Sequence, residues 1–151
     1  SFIKAFATDK VTELLWERGI TDAIINAGGS TIMALNDDMH SSWKINVPDP
    51  FQSDKFSERI TIANQCFSLS GRSNNNLVIN GKTYGHILNP TNGLPVPTIQ
   101  VGVVTKSAFI GDVLSTAIFA LDKNEVENTI NMLGNYFDFE YFRIEENNKN
   151  G

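Results

Sequence analysis

Residues 108–121 are apolar nearly all round, interrupted only by Gly111, Asp112, Ser115 and Thr116. A helix with apolar residues on every side cannot lie on a surface, because each face needs another element against it. The run therefore predicts a buried helix and obliges the rest of the chain to supply its cover. With 151 residues, 41% of them hydrophobic, there is enough chain for one domain with a real core.

The cover reads mainly as strands. Residues 23–27 and 31–35 are apolar runs on either side of Gly28, Gly29 and Ser30, and the first reads as a buried strand. Trp43, Ile45 and Val47 alternate with Lys44 and Asn46, the period of a half-exposed strand, and Pro48 and Pro50 close it. Residues 59–64, 66–70, 99–105 and 137–144 predict further strands, and Asn80-Gly81 after 77–79 is a hairpin turn signal. Two more helices are expected. Ile3, Phe6, Ala7, Val11, Leu14, Leu15 and Arg18 keep three-and-four spacing up to Gly19, and residues 125–133 run to Gly134. Residues 145–151 read as a polar, frayed tail. Helices bracketing mostly antiparallel strands make an α+β fold over residues 1–151. The first helix has no N-cap or lead-in, so the chain reads as a truncation, a processed half or the ordered part of a longer protein.

Composition excludes some functions. Twelve Lys+Arg against seventeen Asp+Glu give a net charge of −5 with no basic run, which argues against nucleic-acid binding. The single cysteine, Cys66, excludes an intrachain disulfide. No apolar stretch is long enough to cross a bilayer as a helix.

Four places carry chemistry out of keeping with their setting. Gly28 and Gly29 can take positive φ and turn amides toward an anion, or simply form a turn or bulge. Ser68, Ser70 and Gly71 end an apolar run, where they could line a pocket or make a polar turn. His86 stands between Gly85 and Ile87-Leu88 ahead of a Pro/Asn/Gly-rich loop, a setting for either a proton acceptor or a structural histidine. The other histidine, His40, reads as solvated. In the apolar helix, Asp112 and Thr116 are four apart with Ser115 beside them, so carboxylate and hydroxyl share a face. That pairing suits a hard cation such as Mg²⁺; the alternative is a helix-start aspartate held by first-turn amides.

Taken in order, these segments resemble the ApbE family. Lys4-Ala5-Phe6-Ala7-Thr8-Asp9 is similar to its Lys-Gly-Tyr-Ala-x-Asp helix start, and Asn26-Ala27-Gly28-Gly29-Ser30 to its Asn-Ala-Gly-Gly-Asp turn. Ser70-Gly71-Arg72 resembles its Ser-Gly-Asp turn. His86 to Pro95 resembles its His-Ile-x-x-Pro-x-Thr-Gly-x-Pro loop, and Asp112-Val113-Leu114-Ser115-Thr116-Ala117 its Asp-Ala-x-Ser-Thr-Ala helix. The departures are Ala5 for glycine, Ser30 and Arg72 for acidic residues, and Thr91-Asn92 for Arg-Thr.

The resemblance implies a two-layer fold related to the T-fold and the C-terminal half of an FAD:protein FMN transferase. Such an enzyme moves FMN from FAD to a threonine of an acceptor flavoprotein and releases AMP. It implies Mg²⁺ at Asp112 and Thr116, with Ser115 beside them and the Ser1 carbonyl contributing. It also implies FAD contacts at Lys4, Gly28, Gly29, Ser70 and Ile87, and His86 as the catalytic histidine. An upstream half of the same protein and a bacterial, periplasmic or membrane-anchored lipoprotein setting are implied as well. An FAD hydrolase yielding FMN and AMP, or a non-catalytic flavin-binding half-domain, would carry the same motifs.

Overall fold

The computed structural model describes residues 2–52, 54–72, 77–85 and 87–146. Two residues singled out above, Ser1 and His86, lie outside them. The apolar helix forms as expected, as α2 (Ala108–Ala120), and α1 (Ile3–Glu17) and α3 (Lys123–Leu133) complete the helical set among the described residues. The main sheet contains β1 (Ala23–Asn26), β2 (Thr31–Leu35), β5 (Cys66–Gly71), β8 (Thr98–Thr105) and β9 (Glu140–Glu145), in the order β1-β2-β5-β8-β9. Every pairing in it is antiparallel. β3 (Trp43–Pro48) pairs with β4 (Phe56–Ile62), and β6 (Leu77–Ile79) with β7 (Lys82–Tyr84). Asn80 and Gly81 both take positive φ, 52° and 76°, as a two-residue hairpin turn requires.

The period of two along the central strands divides the core. Met33, Leu35 and Cys66 face the helices with Ala5 and Ala108, while Val101 and Val103 pack with Leu114, Ile118 and Phe119. Ala34 and Phe67 point the other way, onto Ile45, Val47 and Ile62 of the β3–β4 hairpin. Helices on sheet form the two expected layers, and the hairpin covers the remaining sheet face. The α2 helix is buried on its sheet side but not all round: Phe109 is 38% exposed and Ala117 is exposed.

Most of the helical stripe read in α1 points outward, although Leu15 packs against the core. Ala5, Thr8 and Thr12 are the buried residues, whereas Ile3, Phe6, Val11 and Leu14 are exposed. Small side chains on the inner face let α1 lie close against α2 and β2. Thr8 and Thr12 satisfy their buried hydroxyls on the carbonyls of Lys4 and Thr8, each at 2.9 Å.

Other expectations need correction. The first strand, β1, is a sheet edge with alternating exposure and is not buried. Gly134 ends α3 at φ −62°, so the helix stops without a left-handed glycine. The start of α3 is instead fixed by Glu125, whose carboxylate accepts from Asp122 N at 3.0 Å. His40 is not merely solvated: its Nδ1 lies 2.9 Å from an Asp22 carboxylate oxygen and its ring meets Trp43 edge-on. Nor does the tail begin at 145. Glu145 ends β9, and Glu146 donates its amide to Pro97 O and pairs with Arg72.

Cys66 is fully buried, and burial pushes its thiol up to about 12. Such a thiol holds almost no thiolate at neutral pH. Native protein is expected to resist a thiol-specific disulfide reagent, and to react only after denaturant unfolds it. Fast stoichiometric labelling of folded protein would contradict this placement.

Candidate functional site

Three features of the sequence bring the candidate residues to one end of the sheet. The β1–β2 connection is tight because Gly28 and Gly29 take φ of 77° and 76°, and Asn26 Oδ1 accepts Gly29 N at 2.7 Å. Ser30 O then accepts Leu69 N at 2.8 Å, which fastens this turn beside the exit of β5. Finally, α2 crosses β5 and β8 closely enough to put its polar face over Ser70.

The close crossing depends on Gly111. A Cβ there would lie 2.6 Å from Ser68 Oγ and 2.9 Å from Thr105 Oγ1. The next residue, Asp112, is thereby held at the rim of the sheet. Thr116 follows one turn later, and its Oγ1 is 3.4 Å from Ser70 Oγ. Ser115 is completely buried, with its hydroxyl 2.9 Å from Ser70 Oγ and 3.1 Å from the Asp112 carbonyl it donates to. From the other side, Lys4 reaches in from the first turn of α1. Its Nζ is 3.5 Å from Ser30 Oγ and 3.3 Å from where a Gly28 Cβ would be.

Asp112 is not a helix-start aspartate. It is the fifth residue of α2, and the free amides of the first turn are already taken. Asp9 of α1 accepts Ala108 N at 2.7 Å, Phe109 N at 3.0 Å and the Ser107 hydroxyl at 2.7 Å, while Ser107 Oγ accepts Ile110 N at 3.2 Å. No hydrogen bond among the described residues reaches the Asp112 carboxylate. Burial raises its pKa above the usual carboxylate range, and the Lys4 ammonium pulls it back. A half-buried carboxylate left without donors, with hydroxyls beside it, fits a hard cation that takes few protein oxygens and completes its shell with phosphate. Among the described residues no group of three His, Cys, Asp or Glu could hold an ion.

The structure brings Lys4, Gly28, Ser70, Asp112, Ser115 and Thr116 into one region. Gly29 is in the same turn. Ile87 instead packs against the core cluster of Val101, Leu114 and Ile118. The following turn is organised by Asn89, which the reading did not single out. Asn89 is 1% exposed, its Oδ1 accepts Thr91 N at 2.7 Å, and its Nδ2 reaches Glu125 at 3.5 Å. Arg72 was also missed as an anchor: it donates to Thr98 O at 3.1 Å and Val96 O at 3.2 Å, clamping the segment that leads into β8. Asp9 entered only as part of a motif. The absence of any acidic residue in the first turn of α2 was the available signal that a carboxylate would come from elsewhere.

Replacing Asp9 removes the acceptor for two amides and a hydroxyl at once. Asp9→Ala is expected to cost about 1–2 kcal/mol, at the upper end for a helix cap, measured as a lower midpoint in chemical denaturation. An unchanged midpoint would show that Ser107 alone suffices.

Comparisons with known proteins bear on the family and the fold. A sequence model of the ApbE family matches residues 1–137. The FAD:protein FMN transferase of Buchnera aphidicola subsp. Baizongia pistaciae is 29% identical over 121 residues, covering 78% of this chain and 35% of the relative. That of Klebsiella pneumoniae (strain 342) is 28% identical over 121 residues, covering 78% and 36%. The chain therefore spans about a third of the length of these curated relatives. The fold is similar to that of the ApbE protein from Thermotoga maritima, with a TM-score of 0.76 at 23% identity over 93% of this chain and 46% of that one. It is also similar to the Pseudomonas stutzeri flavinyl transferase ApbE in its apo form, with a TM-score of 0.74 at 23% identity over 96% and 44%. With a family match over most of its length and the motif residues gathered at one sheet end, the chain belongs to the ApbE family.

Proposed function

We propose that this chain forms the metal- and flavin-binding part of an FAD:protein FMN transferase, which transfers FMN from FAD to a threonine hydroxyl. The observation that carries the reading is the Asp112 carboxylate, which accepts no hydrogen bond among the described residues and has the Lys4 ammonium, the Thr116 and Ser70 hydroxyls and the Gly28-Gly29 turn in the same region. The Lys4 ammonium offsets charge on the FAD diphosphate, and the turn allows close approach of that group to the backbone. Asp112 and Thr116 would hold Mg²⁺, which supplies neutralisation of the charge that develops on the transferring phosphoryl group. The threonine Oγ–P bond forms on the riboflavin-side phosphorus as the P–O bond to AMP breaks. His86 takes the threonine proton, and AMP leaves with its phosphate.

The outward stripe of α1 supports a further part of this reading, that the chain works together with the remainder of a longer ApbE polypeptide. Ile3, Phe6, Val11 and Leu14 give that remainder an apolar surface to cover.

The test uses the complete polypeptide with FAD and Mg²⁺, with and without single-threonine peptides. Transfer is read as flavin fluorescence that stays with the peptide, and release of free FMN and AMP alone would make the enzyme a hydrolase. His86→Ala is expected to keep FAD affinity near wild type, lose about 10²–10⁴-fold in rate and lose the acidic limb of the pH–rate curve. Retention of that limb would move His86 from proton transfer to substrate positioning.

A further inference from the structure

Away from Asp112, α3 stands off the sheet and leaves a cleft of about 500 Å³ against β9. Its floor is apolar, from Val126 and Ile130 of α3 and the ring of Tyr141. Tyr141, Arg143 and Glu145 alternate along β9, so all three project from one face of the strand into the cleft. β9 is the last strand of its sheet, pairing with β8 on one side and with no strand among the described residues on the other.

Charge narrows what could lie there. Lys123 and Arg143 are balanced by Glu127 and Glu145. Arg143 is moreover already engaged: it donates to Ile118 O at 3.2 Å and Leu121 O at 2.8 Å and pairs with Glu145 at 2.9 Å. A dinucleotide needs a net positive charge for its phosphates, and the four charges of this cleft cancel. An apolar floor, a neutral rim and a strand edge that pairs with no strand among the described residues suit an extended polypeptide, which can add main-chain hydrogen bonds to the edge and place alternate side chains on the floor.

The cleft also lies two strands from the proposed site, since Arg143 of β9 is in register with Val101 of β8 and Val101 with Ser70 of β5. Arg143 holds the C-terminal end of α2, about 7.5 Å along the helix axis from Thr116 at 1.5 Å per residue. The Asn89 turn, which follows His86 in the chain, touches the start of α3 through Asn89–Glu125 and Asn92–Asp122. We infer that the α3–β9 cleft receives an extended segment of the acceptor protein beside its reacting threonine. This inference rests on the transfer reading above and adds to it where the acceptor docks.

The experiment uses the complete ApbE polypeptide, FAD and a library of single-threonine peptides, followed by kinetics on the best-loaded peptide. Val126→Asp and Tyr141→Ala should each raise the peptide KM about tenfold or more, the effect of losing one strong contact, while FAD affinity and kcat stay near wild type. Tyr141 is 40% exposed, so Tyr141→Ala carries the test if Val126→Asp fails to fold. Hydrogen exchange should slow at residues 140–145 when that peptide is added. A peptide KM within twofold of wild type in a folded variant overturns the inference, as does β9 protection that appears with protein concentration and no peptide, which would mark the edge as a contact between copies. Wild-type enzyme that cleaves FAD without loading any peptide overturns the transfer reading itself, and the docking site with it.

Discussion

Asp112→Asn is expected to abolish cation-dependent turnover while leaving the fold as stable as before. The carboxylate sits where burial raises its pKa, and no hydrogen bond among the described residues rewards its charge. Removing that charge therefore relieves a cost in the metal-free protein, so thermal unfolding without Mg²⁺ should occur at the same temperature or slightly higher. The loss appears only when the ligands are added. Charge neutralisation at a phosphoryl centre contributes several kcal/mol, so the rate should fall by about 10²-fold or more, and added Mg²⁺ should no longer raise the melting temperature in the presence of FAD. A variant that melts early even without ligands would mean that Asp112 is structural and would undo the site assignment.

Gly111→Ala should damage stability and activity together. The added Cβ would enter the contact between α2 and the buried Ser68, with Ser68 Cβ only 3.2 Å away. Overpacking of this kind costs about 1–3 kcal/mol, and a domain of this size loses roughly 2–4 °C of melting temperature per kcal/mol. If α2 moves outward to make room, Asp112 and Thr116 move with it. A displacement of about 1 Å at a catalytic constellation can cost about 10²-fold in rate. Wild-type kinetics in a destabilised Gly111→Ala would show that the sheet yields and the helix does not.

These contrasts mark what the linear sequence discloses. Period and turn chemistry are local, so β2, β3, the Asn80-Gly81 hairpin and α2 could be read directly. That Asp112 and Thr116 share a helix face was legible for the same reason, since four residues of helix fix both side chains on one side. Which face of α1 turns inward was not legible. Apolar spacing named the stripe of Ile3, Phe6, Val11 and Leu14, but the requirement for close approach to α2 selected Ala5, Thr8 and Thr12. Partners distant in sequence were equally hidden. The capture of Val96 and Thr98 carbonyls by Arg72, and of two α2 amides by Asp9, depends on strand order, which no local pattern encodes.

The Asp9 cap also governs when the site can exist. Donor and acceptor are separated by 98 to 100 residues. A ribosome adding 5–20 residues each second leaves α1 waiting roughly 5–20 s for the helix it caps. Closing a loop of about 100 residues costs roughly 4 kcal/mol by the logarithmic rule, so the cap cannot nucleate the fold and must follow sheet assembly. Until then α2 has Ser107 but no carboxylate at its start, and Asp112 has no fixed address. A chain caught partway through synthesis or refolding would therefore hold most of its strands while the Asp112 region is still unorganised, so on the proposed reading flavin capture becomes a late event that reports on completed folding.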